Sequence, residues 1–143
     1  MATIHHQVLI DAPLASVYQA IATAEGISTW WDKQTPRQTP DGLVLEHSPG
    51  AEHGVVKLRV VELVPDERIE WECISTHPET SPASEWTGTQ FLFDLSARGD
   101  ETAVDFRQIG YNERSPFYTT NREAWRSVLD NLKRVVEEQQ FKP

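Results

Sequence analysis

Apolar positions change their spacing along the chain, and each change predicts an element. Ile4, Val8 and Ile10 share one parity, as in a strand with one face on a core. After Asp11 the period lengthens: Pro13 suits a first helical turn, and Leu14, Val17, Tyr18 and Ile21 recur at helical spacing. A second short helix is predicted over 24–30, and Pro36 and Pro40 then predict an irregular stretch over 34–41. Leu43, Leu45 and His47 lie on one parity, 55–64 is rich in β-branched residues, and Ile69, Trp71 and Cys73 alternate with Glu70 and Glu72. Pro65-Asp66-Glu67 reads as a hairpin turn. Over 87–95, Phe91, Phe93 and Leu95 share a face, and Gly99-Asp100 turns the chain into 102–109, where Val104 and Phe106 do the same.

The last segment is the clearest helix. Ser115-Pro116 offers an N-cap and a first-turn proline, and Trp125, Val128, Leu129, Leu132, Val135 and Val136 fall at offsets 0, 3, 4, 7, 10 and 11. Charged residues from Glu123 to Glu138 occupy the opposite side. That stripe needs a large apolar partner, which only the strands supply. The fold class is α+β: a curved antiparallel sheet of about six strands around a long C-terminal helix, with two short helices after the first strand. No repeat or low-complexity tract interrupts 1–143, which reads as one domain.

Composition narrows the function. Thirteen basic and 22 acidic residues leave a net charge of −9 on 143 residues. Nucleic-acid binding is excluded as an expectation, because it needs a concentrated Lys/Arg face. No apolar run approaches the roughly 18 residues of a membrane span, and MATIHHQV lacks the basic-then-apolar layout of a secretion signal, so a cytoplasmic protein without membrane insertion is expected. The single Cys73 cannot form an internal disulfide and reads as a small core residue.

A twisted sheet splays at its ends while a helix stays straight, so a cavity is expected between them. Trp30, Trp31, Leu58, Trp71, Phe91, Phe93, Phe106, Phe117, Tyr118 and Trp125 are available to line it, or else simply to fill the core. His47, on the parity of Leu43 and Leu45, is either a hydrogen-bonding handle or general base facing that cavity, or a strand-end histidine in solvent. Asp105 and Arg107 read as a solvated cross-strand charge pair, and Glu70 and Glu72 as water-facing. His5 and His6 point to opposite faces of a strand, and His47, His53 and His77 read as lying in unrelated loops or strand ends, so no metal site is expected. No cofactor is expected either: nucleotide, dinucleotide and serine-hydrolase motifs are missing, and a triad of His6, Asp11 and Ser16 exists only on paper.

Two stretches resemble a known family. Over 8–31 a strand leads into the Ala12-Pro13 dipeptide, a helix follows, and Trp30-Trp31 closes a second short helix; the terminal helix carries Trp125, Leu129 and Leu132 in a W-x3-L-x2-L pattern. This opening and this ending are similar to those of the START-like (SRPBCC) helix-grip domains, in the branch of homologues of the activator of the 90-kDa heat-shock-protein ATPase. Tyr18 stands where many members have Trp, and Glu123-Ala124 precedes Trp125 where a Gly-Trp pair is common. The resemblance implies a helix-grip fold and three functions. The first is binding of a hydrophobic or aromatic small molecule, lipid-like, polyketide-like or flavonoid-like, in the cavity. The second is a polyketide cyclase or dehydratase using the same cavity, with His47 as base. The third is a chaperone-associated or stress-response interaction domain, and a homodimer is compatible with all three.

Overall fold

A computed structural model describes residues 2–50 and 53–140; residues 1, 51, 52 and 141–143, which the expected 1–143 span includes, lie outside the described residues. The strands are β1 (Ala2–Ile10), β2 (Thr35–Thr39), β3 (Gly42–His47), β4 (Val56–Val64), β5 (Arg68–Cys73), β6 (Gln90–Arg98) and β7 (Glu101–Tyr111). The helices are α1 (Leu14–Ala22), α2 (Ala24–Ile27) and α3 (Tyr118–Gln139), with one 3₁₀ turn at Pro82–Glu85. All pairings are antiparallel, in the order β1-β7-β6-β5-β4-β3-β2. The chain therefore leaves one edge after β1, crosses on α1 and α2 to the opposite edge, and meanders back until β7 lies beside β1.

The expected curved sheet and gripped helix are present, with differences of detail that have local causes. The sheet has seven strands because Thr35–Thr39 pairs with β3 although it contains Pro36. β2 has a neighbour on one side only, and an edge strand tolerates a residue without an amide hydrogen. The second helix is a single turn, capped where the Thr23 hydroxyl accepts from the Gly26 amide. Beyond Ile27 the amides of Thr29 and Trp30 bond carbonyls three residues back, so the chain tightens out of the α-helical pattern. The terminal helix starts at Tyr118, after Ser115 and Pro116: the Ser115 hydroxyl accepts from the Phe117 amide in a turn that precedes the helix. In β4 a register shift between Val60 and Glu62 breaks the alternation, and Val61 and Leu63 are both exposed.

One face of the sheet is apolar, and α1 and α3 cover it. Asn121, Trp125, Leu129, Leu132 and Val136 are the buried positions of α3, and they meet a core built from Ile4, Ile10, Ile69, Trp71, Phe93, Val104 and Phe106. Polar ties fix the helix along the edge of β1: Lys133 Nζ donates to the Leu9 carbonyl at 2.8 Å, and Glu137 accepts the Asp11 amide at 2.8 Å. On the outer face Asp105 pairs with Arg107 two positions along the same strand and with His5 across the sheet, so this charge cluster is only partly the cross-strand pair expected. Cys73 is buried, and burial pushes its thiol pKa up.

Candidate functional site

Most of the volume beneath α3 is filled by rings. Trp125, from the second turn of the helix, lies 4.4 Å from Phe106, 5.7 Å from Phe91 and 5.0 Å from Trp31, centroid to centroid. Trp71 stacks 6.3 Å from Trp31 and meets Phe93 at 5.0 Å, and Phe93 in turn meets Phe106 at 5.0 Å. Rings at these distances attract through dispersion and their quadrupoles, so the middle of the grip is a packed core. The Trp125 indole nitrogen is buried without a hydrogen-bond partner among the described residues, so ring packing alone orients that side chain.

The opening lies at one end of this layer. A cleft of about 210 Å³ runs between the first turns of α3 (Thr120, Asn121, Ala124), Trp31, the end of β3 at His47, Val56 of β4, and the segment carrying Pro82, Ala83 and Trp86. Asp32 and Pro49 form its exposed rim, while His47, Val56, Ala83 and Asn121 are buried in its floor. The volume is below the ~300–1,000 Å³ common for drug-sized ligands, so the enclosed part fits a body of one or two rings. Trp31 and Trp86, 6.1 Å apart, provide the aromatic walls.

Two hydrogen-bonded groups fix the polar floor. In the first, Trp86 Nε1 donates to Asn121 Oδ1 (3.0 Å) and Asn121 Nδ2 donates to Gln108 Oε1 (2.9 Å). Gln108 Nε2 donates to Thr89 Oγ1 (3.1 Å), whose hydroxyl returns to the Trp86 carbonyl (2.7 Å). This closed circuit leaves each member satisfied, which is the condition for burying polar groups at little cost. In the second, the Gln34 side-chain amide donates to the Asp32 carbonyl (2.8 Å), which leaves its Oε1 to accept from Nδ1–H of His47 (3.0 Å).

His47 is only 4% exposed and packs its ring 4.6 Å from that of Trp31, so the solvent-facing alternative is replaced by a buried one. Burial, reinforced by the charge of nearby His77, lowers its pKa to about 4. The histidines of the loops are also not unrelated. His77 Nδ1 donates to the His53 carbonyl, Ser75 and His77 Nε2 share a hydrogen bond, and His53 bonds the Ser81 hydroxyl beside the cleft. No group of three or more metal-ligating side chains occurs among the described residues. His6 bonds the Arg122 carbonyl, and among the described residues no hydrogen bond joins it to Asp11 or Ser16.

Of the eleven residues named for the cavity, Trp31 and His47 line the cleft and half-buried Phe117 does not. Trp30, Leu58, Trp71, Phe91, Phe93, Phe106 and Trp125 are closed into the core, and half-buried Tyr118 packs edge-on against Tyr111 outside the cleft. Trp86, Asn121, Gln34 and Ala83 were not legible as site residues. Asn121 had a signal: it lies one turn before Trp125 on the same buried stripe, where a polar residue needs partners.

Fold and cleft together define a START-like helix-grip protein. The family model described as Activator of Hsp90 ATPase homolog 1-like protein matches residues 11–137, and the chain belongs to that family. No curated protein matches the chain. Among solved structures, the Aha1 dimer from Colwellia psychrerythraea is similar at TM-score 0.80, with 25% identity over 96% of this chain and 97% of that one. MLL2253 from Mesorhizobium loti gives TM-score 0.78 at 17% identity, covering 96% and 98% of the two chains. CalU16 from Micromonospora echinospora gives 0.72 at 15% identity, covering 96% and 78%. Among the described residues no helix is long and apolar enough to cross a membrane.

Proposed function

We propose that the chain, acting as one domain in the cytoplasm, binds a small, mostly apolar aromatic molecule in the cleft beside Trp31. The observation that supports this is the cleft itself: two indole walls, an apolar floor of Val56 and Ala83, and a few fixed polar groups among them. Such a composition gives affinity through ring contact and orientation through one or two hydrogen bonds. The limited volume favours one- or two-ring bodies over long-chain lipids. An enzyme of the cyclase or dehydratase type is less well supported. Its general base would be His47, and a base whose pKa is lowered to about 4 abstracts protons poorly at neutral pH.

The test is a panel of one- and two-ring aromatics and long-chain fatty acids, followed by tryptophan emission and thermal melting. An aromatic member at about 100 times its Kd should add about 2.7 kcal/mol of stability, several degrees in Tm, and quench emission. If no member of the panel moves either signal, the cleft is not a ligand site.

The family description favours a second reading, in which the acidic chain meets a partner of the chaperone class, alone or as a homodimer like that of the Colwellia structure. With a net charge of −9, such a contact should depend on complementary charge. Capture of a purified 90-kDa chaperone at low salt, lost as salt is raised, would support it; no capture at low salt would remove it.

A further inference from the structure

Resting on the cleft reading, we propose that the bound molecule is an uncharged aromatic carrying a hydroxyl or N–H group, and that Nε2 of His47 accepts its hydrogen. The geometry fixes the tautomer. Gln34 is itself buried and held at three points: its side-chain nitrogen donates to the Asp32 carbonyl, its backbone N–H to the Ser28 hydroxyl at 2.9 Å, and its Oε1 accepts from His47. An oxygen acceptor opposite Nδ1 requires a hydrogen on Nδ1, so in the neutral ring Nε2 carries the lone pair.

Nε2 has no hydrogen-bond partner among the described residues, and it is not one of the buried unpartnered atoms, so it stays accessible while the rest of the ring is covered. A ligand donor placed there takes over the hydrogen bond that water would otherwise make to this accessible acceptor. The other fixed polar side chain of the floor is already held, because Asn121 has one bond on each amide atom in the circuit with Trp86 and Gln108. Nε2 of His47 is thus the polar atom of the floor that makes no bond among the described residues.

The same arrangement selects against anions. A carboxylate brought to Nε2 would set lone pair against lone pair, and protonating the ring to receive it is opposed by burial and by His77. Asp32 on the rim adds a negative charge at the entrance. A phenol or an indole-like N–H suits the site, whereas an aryl carboxylate or a fatty acid does not.

Naphthol, its methyl ether and the naphthoate anion separate these possibilities by calorimetry on the wild-type chain. Naphthol is expected to bind about five- to ten-fold more tightly than the ether, the net worth of one neutral hydrogen bond, and naphthoate more weakly than both. In His47→Phe the preference for naphthol over the ether should collapse to within about two-fold, with ether binding retained. Equal binding of naphthol and ether to the wild type overturns the donor assignment while leaving the cleft reading intact. Tighter binding of naphthoate overturns the selection against anions. Binding of none of the three, with no hit in the wider aromatic panel, takes both readings down. The wild-type comparison decides the matter even if the variant fails to fold.

Discussion

His47 shows how one side chain ties binding to stability. In the unfolded chain an ordinary histidine gains a proton below about pH 6.5, whereas in the fold His47 stays neutral down to about 4. Between those values the unfolded state holds more protons, so stability falls as pH drops through this window. By pH 5 the loss should reach about 2 kcal/mol relative to pH 7.5, and His47→Phe should flatten that slope; urea titrations at the two pH values measure it. Asp105 and Glu137 act lower. Burial raises both, but His5 and Gln7 beside Asp105, and Lys133 and the Asp11 amide beside Glu137, outweigh it and hold both carboxyls below their usual values. At this scale the sequence was a partial guide. Parity alone put His47 on the side of Leu45, but whether a strand-end ring is covered depends on Trp31, sixteen positions earlier in the connection after α2.

Elements were easier to read than their contacts, because periodicity is local. The α3 stripe, the β6–β7 hairpin and the strand-to-helix junction after β1 all follow from spacing, while β2 does not, since its single partner β3 tolerates Pro36. The join between α1 and α2 shows a constraint that spacing cannot reveal. A Cβ on Gly26 would come within 2.3 Å of the Gln19 carbonyl oxygen and 2.7 Å of the Ala20 Cα, both backbone atoms that cannot swing aside. Gly26→Ala must therefore push α2 off α1, and with it the Trp30-Trp31 pair that forms one cleft wall. A loss of about 1–3 kcal/mol in thermal or urea unfolding is expected, together with weakened binding of aromatics. An unchanged midpoint would mean that the two helices separate freely.

For the whole molecule, the sheet and helix were legible because one apolar stripe and one run of alternating strands have a single economical arrangement. The position of the cavity was not, because it depends on how far the rings fill the grip, a balance of volumes among residues distant in sequence. They fill the centre and leave one end open, so the aromatic residues serve packing first and the cleft second. Trp31 belongs to both. Its centroid is 6.2, 6.3, 6.1 and 5.0 Å from those of Trp30, Trp71, Trp86 and Trp125, which are the other four tryptophans of the chain. Indoles this close exchange excitation energy before they emit, so light absorbed by any of the five can reach Trp31. A guest that touches only two indoles would then darken the emission of all five, and the protein would report its own occupancy without any dye.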